Sequence, residues 1–228
     1  MNALFDKSRR RPASRVLVSG SPGTRRGPAL VSAARTGPHA ARRAAIELLG
    51  HLRRREDAGL LMSLLRSGGN DLIRKSAAYA LGLLGSPDTV PALAEGCRDP
   101  SAHVRTRCAE ALGRIGDRRG LPAVASCAYD RNVFTRRRAV AALGWLGGQE
   151  ALAALAGVLA RKGEDAHVRL GAVESLGLIG GAESVGILEG IIARDRGRLL
   201  RAAAEALGRI AHPRAAHILV AMARGNRE

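Results

Sequence analysis

A short phrase, AHVRTRCAEALGRIG at residues 102–116, returns five more times along the chain with substitutions. Its central glycine falls at Gly50, Gly82, Gly113, Gly144, Gly177 and Gly208, at intervals of 32, 31, 31, 33 and 31 residues. Self-similarity at this period restricts the chain to a stacked repeat, in which each unit buries its apolar face against the next. Length then gives no count of globular domains, because about six units take up nearly all 228 residues in one linear stack.

Each unit reads as two helices. The first follows a G-x-P-A pattern, with Pro28, Pro91 and Pro122 each 14 residues before a recurring arginine. Proline costs little in a first helical turn, where its missing N–H has no partner to lose. The second helix is the recurring phrase itself. Counting from the central glycine, position −1 is always leucine, position −5 is Ala or Cys, and position +2 is Leu or Ile. The steps −9, −5, −1 and +2 trace one helical face, the expected core seam. A mid-helix glycine is disfavoured by about 1 kcal/mol relative to alanine. Its sixfold recurrence therefore points to a neighbouring helix approaching closely. Gly85, Gly116, Gly147 and Gly180, at +3, read as helix stops. The expected pairs are 27–35/38–52, 56–66/70–84, 88–98/101–115, 120–129/133–146, 149–161/166–179 and 182–194/198–210, with a last helix at 214–224. The fold class is all-α, an α-solenoid of about six helix pairs plus a terminal helix. The longer turn at 161–165 accounts for the 33-residue interval, and Leu200 and Ala211 mark the final unit as a capping one.

Residues 1–26 show no period and are rich in Pro, Gly, Ser and Arg. They read as a flexible basic arm ahead of a repeat domain over 27–228. An arm of this composition also resembles an organelle transit peptide. Val16-Leu17-Val18 is too short an apolar run for a secretory signal, and no stretch of about 18 apolar residues suggests a membrane span. A cytoplasmic chain is expected. The three cysteines, Cys97, Cys108 and Cys127, lie on apolar helical positions without a C-x-x-C spacing, as buried thiols do in a reducing compartment.

The formal net charge is +17, with 37 Lys and Arg against 20 Asp and Glu. Such a balance favours an acidic protein face, nucleic acid or an anionic surface, although arginine-rich coding alone can produce it. Aromatics make up only 2%, which disfavours single-strand nucleic-acid stacking; duplex backbone contact needs none.

The phrase DPSAHVRTRCAEALGRIG at 99–116 resembles the short HEAT-like repeats of the phycobilin-lyase type, related to HEAT and armadillo repeats. The resemblance covers residues 27–224. It implies a right-handed superhelix with the second helices on the concave side, and a repeat arginine at the start of each: Arg42, Arg74, Arg105, Arg136 and Arg169. The pairs Asp99 with Arg105 and Asp130 with Arg136 fit a bond between each arginine and the turn before it. Family members include scaffolds, lyase subunits, di-iron hydroxylases and base-excision enzymes. The His-Glu dipeptides of the di-iron branch do not occur here, so no metal site or cofactor is expected, and a bilin-lyase-like or base-excision role is the lesser alternative.

A second stripe of the recurring helix, at −7, −3 and +1, varies between units and is where a partner would be encoded. Arg43–Glu47, Glu110–Arg114, Arg201–Glu205 and Glu205–Arg209 fit i,i+4 ion pairs. Lys75, Tyr79, Arg137 and Trp145 have no facing acid in sequence. The expected partner-binding residues are therefore Arg43, Lys75, Tyr79, Arg114, Arg136, Arg137, Arg138 and Trp145. No spacing of Ser, His, Cys or Asp suggests catalysis. The expected function is a non-enzymatic scaffold holding an acidic protein partner on a basic concave face, with duplex nucleic-acid binding as the alternative.

Overall fold

The computed structural model describes residues 23–225. Among them are thirteen α-helices and no strand. Six pairs follow one another: α1 (Gly23–Thr36) with α2 (His39–Leu52), α3 (Ala58–Ser67) with α4 (Asp71–Leu84), α5 (Val90–Gly96) with α6 (Ala102–Ile115), α7 (Leu121–Cys127) with α8 (Val133–Leu146), α9 (Gln149–Ala160) with α10 (Ala166–Ile179), and α11 (Gly181–Arg194) with α12 (Arg198–Gly208). The last helix is α13 (Pro213–Gly225). The first 22 residues, most of the expected arm, lie outside the described residues, and helix α1 begins at Gly23. Pro91 and Pro122 take the second position of α5 and α7, but Pro28 stands inside α1 rather than in its first turn.

The expected seam is the core. Leu49, Leu81, Leu112, Leu143, Leu176 and Leu207 are buried, as are the six Ala or Cys residues at −5. Each buried leucine contributes about 1.5–3 kcal/mol through apolar burial. Position +2 departs at the first unit, where Leu52 is exposed; no described unit precedes it to cover that face. The helix stops also hold: Gly85, Gly116, Gly147 and Gly180 all adopt positive φ, a region open to glycine without the Cβ clash. Arg53 takes that place in unit one, at φ 52.

The recurring glycine is explained by the layer of second helices. A Cβ built on Gly50 would stand 2.6 Å from the Cα of Ala80. On Gly82 it would meet Ala111, on Gly113 Ala142, on Gly144 Ser175 and on Gly177 Ala206, all at 3.0 Å or less. Each partner is position −2 of the next unit. The two backbones come together at this point, and a side chain on the glycine would hold them apart. Ser175, the one polar partner, donates its hydroxyl to the Val140 carbonyl at 2.8 Å. Gly208 has no atom within 4 Å of such a Cβ, since no second helix follows it among the described residues.

The first helices pack on one another much less closely than the second helices do. A two-layer stack curves toward the layer with the shorter step, so the second helices line the inner surface.

Two alanine substitutions separate this joint from helix propensity. Gly113→Ala should lower stability by about 1–3 kcal/mol, because the neighbouring backbone must give way. Gly208→Ala should raise it by up to about 1 kcal/mol. Denaturant midpoints of the two variants, read against the parent, check both signs.

Candidate functional site

The arginines of the inner layer fall into two groups. Those that open the second helices reach forward by one unit. Arg74 donates from Nε and Nη2 to the two carboxylate oxygens of Asp99, at 2.7 and 3.0 Å. Arg105 grips Asp130 the same way, at 2.6 and 2.8 Å, whereas Arg136 donates from both nitrogens to one oxygen of Glu164, Oε1, at 2.9 and 2.7 Å. Arg169 bonds Asp195 at 3.0 Å. The remaining guanidinium nitrogen of Arg74, Arg105 and Arg136 donates to carbonyls of its own turn: Gly69; Asp99 and Pro100; Asp130 and Arg131. The pairing suggested by sequence, Asp99 with Arg105 and Asp130 with Arg136, is thus carried by backbone carbonyls, while the carboxylates belong to the preceding arginine. Unit one lacks an acid one step ahead, and Arg42 donates to the Ala34 carbonyl instead.

The ladder acids also order their own turns. Asp99 accepts from the Ser101 amide, Asp130 from the Asn132 amide and Glu164 from the Asp165 amide, each at 2.8 Å. Burial pushes the Asp99 and Asp130 carboxyls up, but their arginine and amide bonds together outweigh it and hold both below the ordinary 3.8. Arg136 belongs to this ladder, with its side chain largely buried against Glu164.

The second group sits next to the ladder in sequence and faces away from it. Arg43 is exposed and meets Glu47 only at 3.9 Å. Lys75, half-buried, has no ion-pair partner among the described residues. The same holds for Arg137, which is exposed, and Arg138, which is half-buried. Of the four expected helical pairs, Arg43–Glu47, Glu110–Arg114 and Glu205–Arg209 form.

Tyr79 collects side chains from both neighbouring units. Arg107 lies 5.4 Å from its ring centre and Arg114 6.0 Å, within cation–π reach, and the edge of His51 stands 6.3 Å away. Both arginines are tied at the other end to Glu110, whose side chain is 7% exposed, by bonds of 2.9 and 2.8 Å. Arg107 was not among the expected site residues; its i,i+3 spacing to Glu110 is the signal that marks it. Trp145 is half-buried and packs against the core, with its ring beside Gly113, where an added Cβ would come within 2.7 Å of Cε3.

The acids of this face make it mixed in charge. Glu47, Glu110, Glu174 and Glu205 occupy its −3 positions. Burial raises the Glu174 carboxyl above its usual range; Arg209 opposes the shift and Glu205 adds to it.

The family model for HEAT repeats matches residues 27–107, 95–165, 130–205 and 159–228. The chain belongs to the HEAT-repeat family. Among solved structures it is similar to the complex of CpcE and CpcF of phycocyanin lyase from Nostoc sp. PCC7120, at 21% identity over 89% of this chain and 82% of that one, with a TM-score of 0.60. It is also similar to a designed armadillo repeat protein in complex with the peptide (KR)4, at 16% identity over 80% and 98%, TM-score 0.57. These likenesses establish the HEAT and armadillo-like solenoid. No curated protein matches the chain. No helix among the described residues is long and apolar enough to cross a membrane. Cys97, Cys108 and Cys127 are buried and free, as their positions in the HEAT repeats suggested; burial pushes the Cys108 thiol well up.

The ladder sets an acid limit on the fold. Asp99 and Asp130 have native values below their unfolded 3.8. Their contribution is complete above that pH and is lost as pH falls through the depressed native values. Asp130→Asn should cost about 1.5–3 kcal/mol at pH 7, the range for a hydrogen bond to a charged group. Its deficit against the parent should shrink toward pH 2. Urea titrations at pH 7, 4 and 2 measure both.

Proposed function

We propose that this HEAT-repeat chain is a non-enzymatic binding scaffold that holds an acidic protein partner on its second-helix face. The observation that carries the reading is the division of the inner arginines. Arg74, Arg105, Arg136 and Arg169 are consumed by turn carboxylates. Lys75, Arg137 and Arg138 are left without one among the described residues. A cation held beside a rigid ladder and unmatched among the described residues is pre-organised for a charge from outside.

The contact set is Arg43, Lys75, Tyr79, Arg114, Arg137, Arg138 and Trp145. Arg136 drops out because Glu164 already occupies it. Tyr and Trp add apolar area at little entropic cost, as interface anchors do. Three free buried thiols support a reducing compartment, the cytoplasm.

Duplex nucleic acid is the second reading, favoured by the formal charge of +17. The glutamates at −3 weigh against it, since a phosphate backbone running along the second helices would pass a carboxylate in units one, three, five and six.

Capture experiments distinguish the two. Immobilised chain should retain a protein from nuclease-treated extract of the source cell. The double variant Arg137→Glu with Arg138→Glu should weaken that retention at least about tenfold, or 1.4 kcal/mol, with an unchanged circular dichroism spectrum. Recovery of nucleic acid alone, with affinity falling steeply as salt rises, would replace the scaffold reading with the second one.

A further inference from the structure

The inner face is not uniform, and a hollow lies toward its N-terminal end. An open depression of about 380 Å³ is bordered by Arg43, Glu47, Leu72, Lys75, Tyr79 and Arg107. These residues come from α2, α4 and α6, so the hollow spans three successive units.

The side chains around it differ in how far they are already satisfied. Glu47 accepts from the Ser76 hydroxyl at 3.2 Å, and Arg43 faces it as an ion pair at 3.9 Å. Arg107 shares Glu110 with Arg114. Among the described residues Lys75 has no anionic partner and none hydrogen-bonds the Tyr79 hydroxyl. Leu72 leaves 46% of its surface exposed on the rim. The hollow thus offers one free ammonium, one half-engaged guanidinium, one free phenol donor and one exposed aliphatic side chain.

We propose that this depression takes the carboxylate of a glutamate or aspartate side chain in an extended partner segment, with an apolar neighbour of that residue on Leu72. This deepens the scaffold reading and rests on it. Lys75 supplies the charge, Tyr79 a hydrogen bond, and Arg43 turns from Glu47 when the ligand arrives. A carboxylate fits better than a phosphodiester. Glu47 borders the hollow, and Glu110 stands behind Arg107. A chain charged at every step would meet that pair of acids, whereas a single carboxylate flanked by apolar groups meets only the free cation. An aliphatic rim has nothing to contact on a sugar-phosphate backbone.

The test uses the full chain and three fluorescein-labelled probes read by anisotropy at low salt. They are a peptide of alternating Glu and Leu, the same peptide with Gln for Glu, and a short DNA duplex. The Glu-Leu peptide should bind, and the Gln peptide should bind at least about tenfold more weakly, the usual scale for losing one charged hydrogen bond. Lys75→Gln and Tyr79→Phe should each weaken the Glu-Leu peptide by about three- to tenfold, the upper end being 1.4 kcal/mol. Both sit on the surface side of α4, and an unchanged thermal midpoint certifies the fold.

Peptide binding that ignores both substitutions but falls with Arg137→Glu and Arg138→Glu would overturn the depression as the site and leave the scaffold reading standing. Equal binding of the Glu and Gln peptides would overturn the carboxylate. Binding of the duplex alone would overturn both readings together. Binding of none of the probes would overturn the depression only, because protein capture from extract tests the scaffold separately.

Discussion

The backbone-to-backbone approach between successive second helices is the constraint from which the rest of this solenoid follows. Glycine at one position and alanine or serine at position −2 of the next unit allow it. The step it sets is short and repeated, and it is shared by every joint from α2 to α12. A step of constant length is what lets one arginine reach one carboxylate in the following turn four times over. It also makes the inner layer the shorter arc, because the first helices have no comparable contact. The curvature, the ladder and the alanine-rich core are three consequences of one close contact.

The two ends of the stack act as controls on this account. Position −2 in the first unit is Leu48, half exposed, whereas every later unit has Ala or Ser there. No described second helix precedes α2, so nothing demands a small residue there. At the other end Gly208 keeps the glycine but meets no atom. The requirement tracks the presence of a neighbour, and helix α12 itself has no use for the glycine.

Much of this was legible from spacing alone. The glycine period, the leucine seam and the +3 stops rest on local chemistry repeated in register, and each repetition strengthens the same inference. The ladder was legible only in part. Asp99 and Arg105 are six residues apart and look like partners, but Arg105 reaches Asp130, 25 residues on. That choice depends on the stacking step, which no single unit encodes. The site suffered similarly. Reading the helix as a stripe at −7, −3 and +1 leaves out Arg107 at −6, because helical position does not show how far a long guanidinium can swing across to Tyr79. Burial of Glu110 was equally invisible: an acid at −3 looks solvated until two arginines from its own helix close over it. Trp145 is half-buried with its ring beside Gly113, a placement that its +1 position alone does not show.

The ladder also changes what a net charge of +17 means. Charge counted along a sequence treats every arginine as available. Here Arg74, Arg105, Arg136 and Arg169 are paired within the fold with acids from the next unit, and they contribute stiffness rather than a field. What reaches the solvent on the inner face is the remainder, interleaved with the glutamates at −3. A surface of that kind is poor at attracting a uniform polyanion, since like-charge encounters recur at each acid-bearing unit. In the scaffold reading proposed above, it suits partners whose own charges alternate with apolar groups. In the scaffold proposed above, specificity rests on which cations the ladder leaves over: Arg74 pairs with Asp99, while Lys75, the next residue, has no ion-pair partner among the described residues.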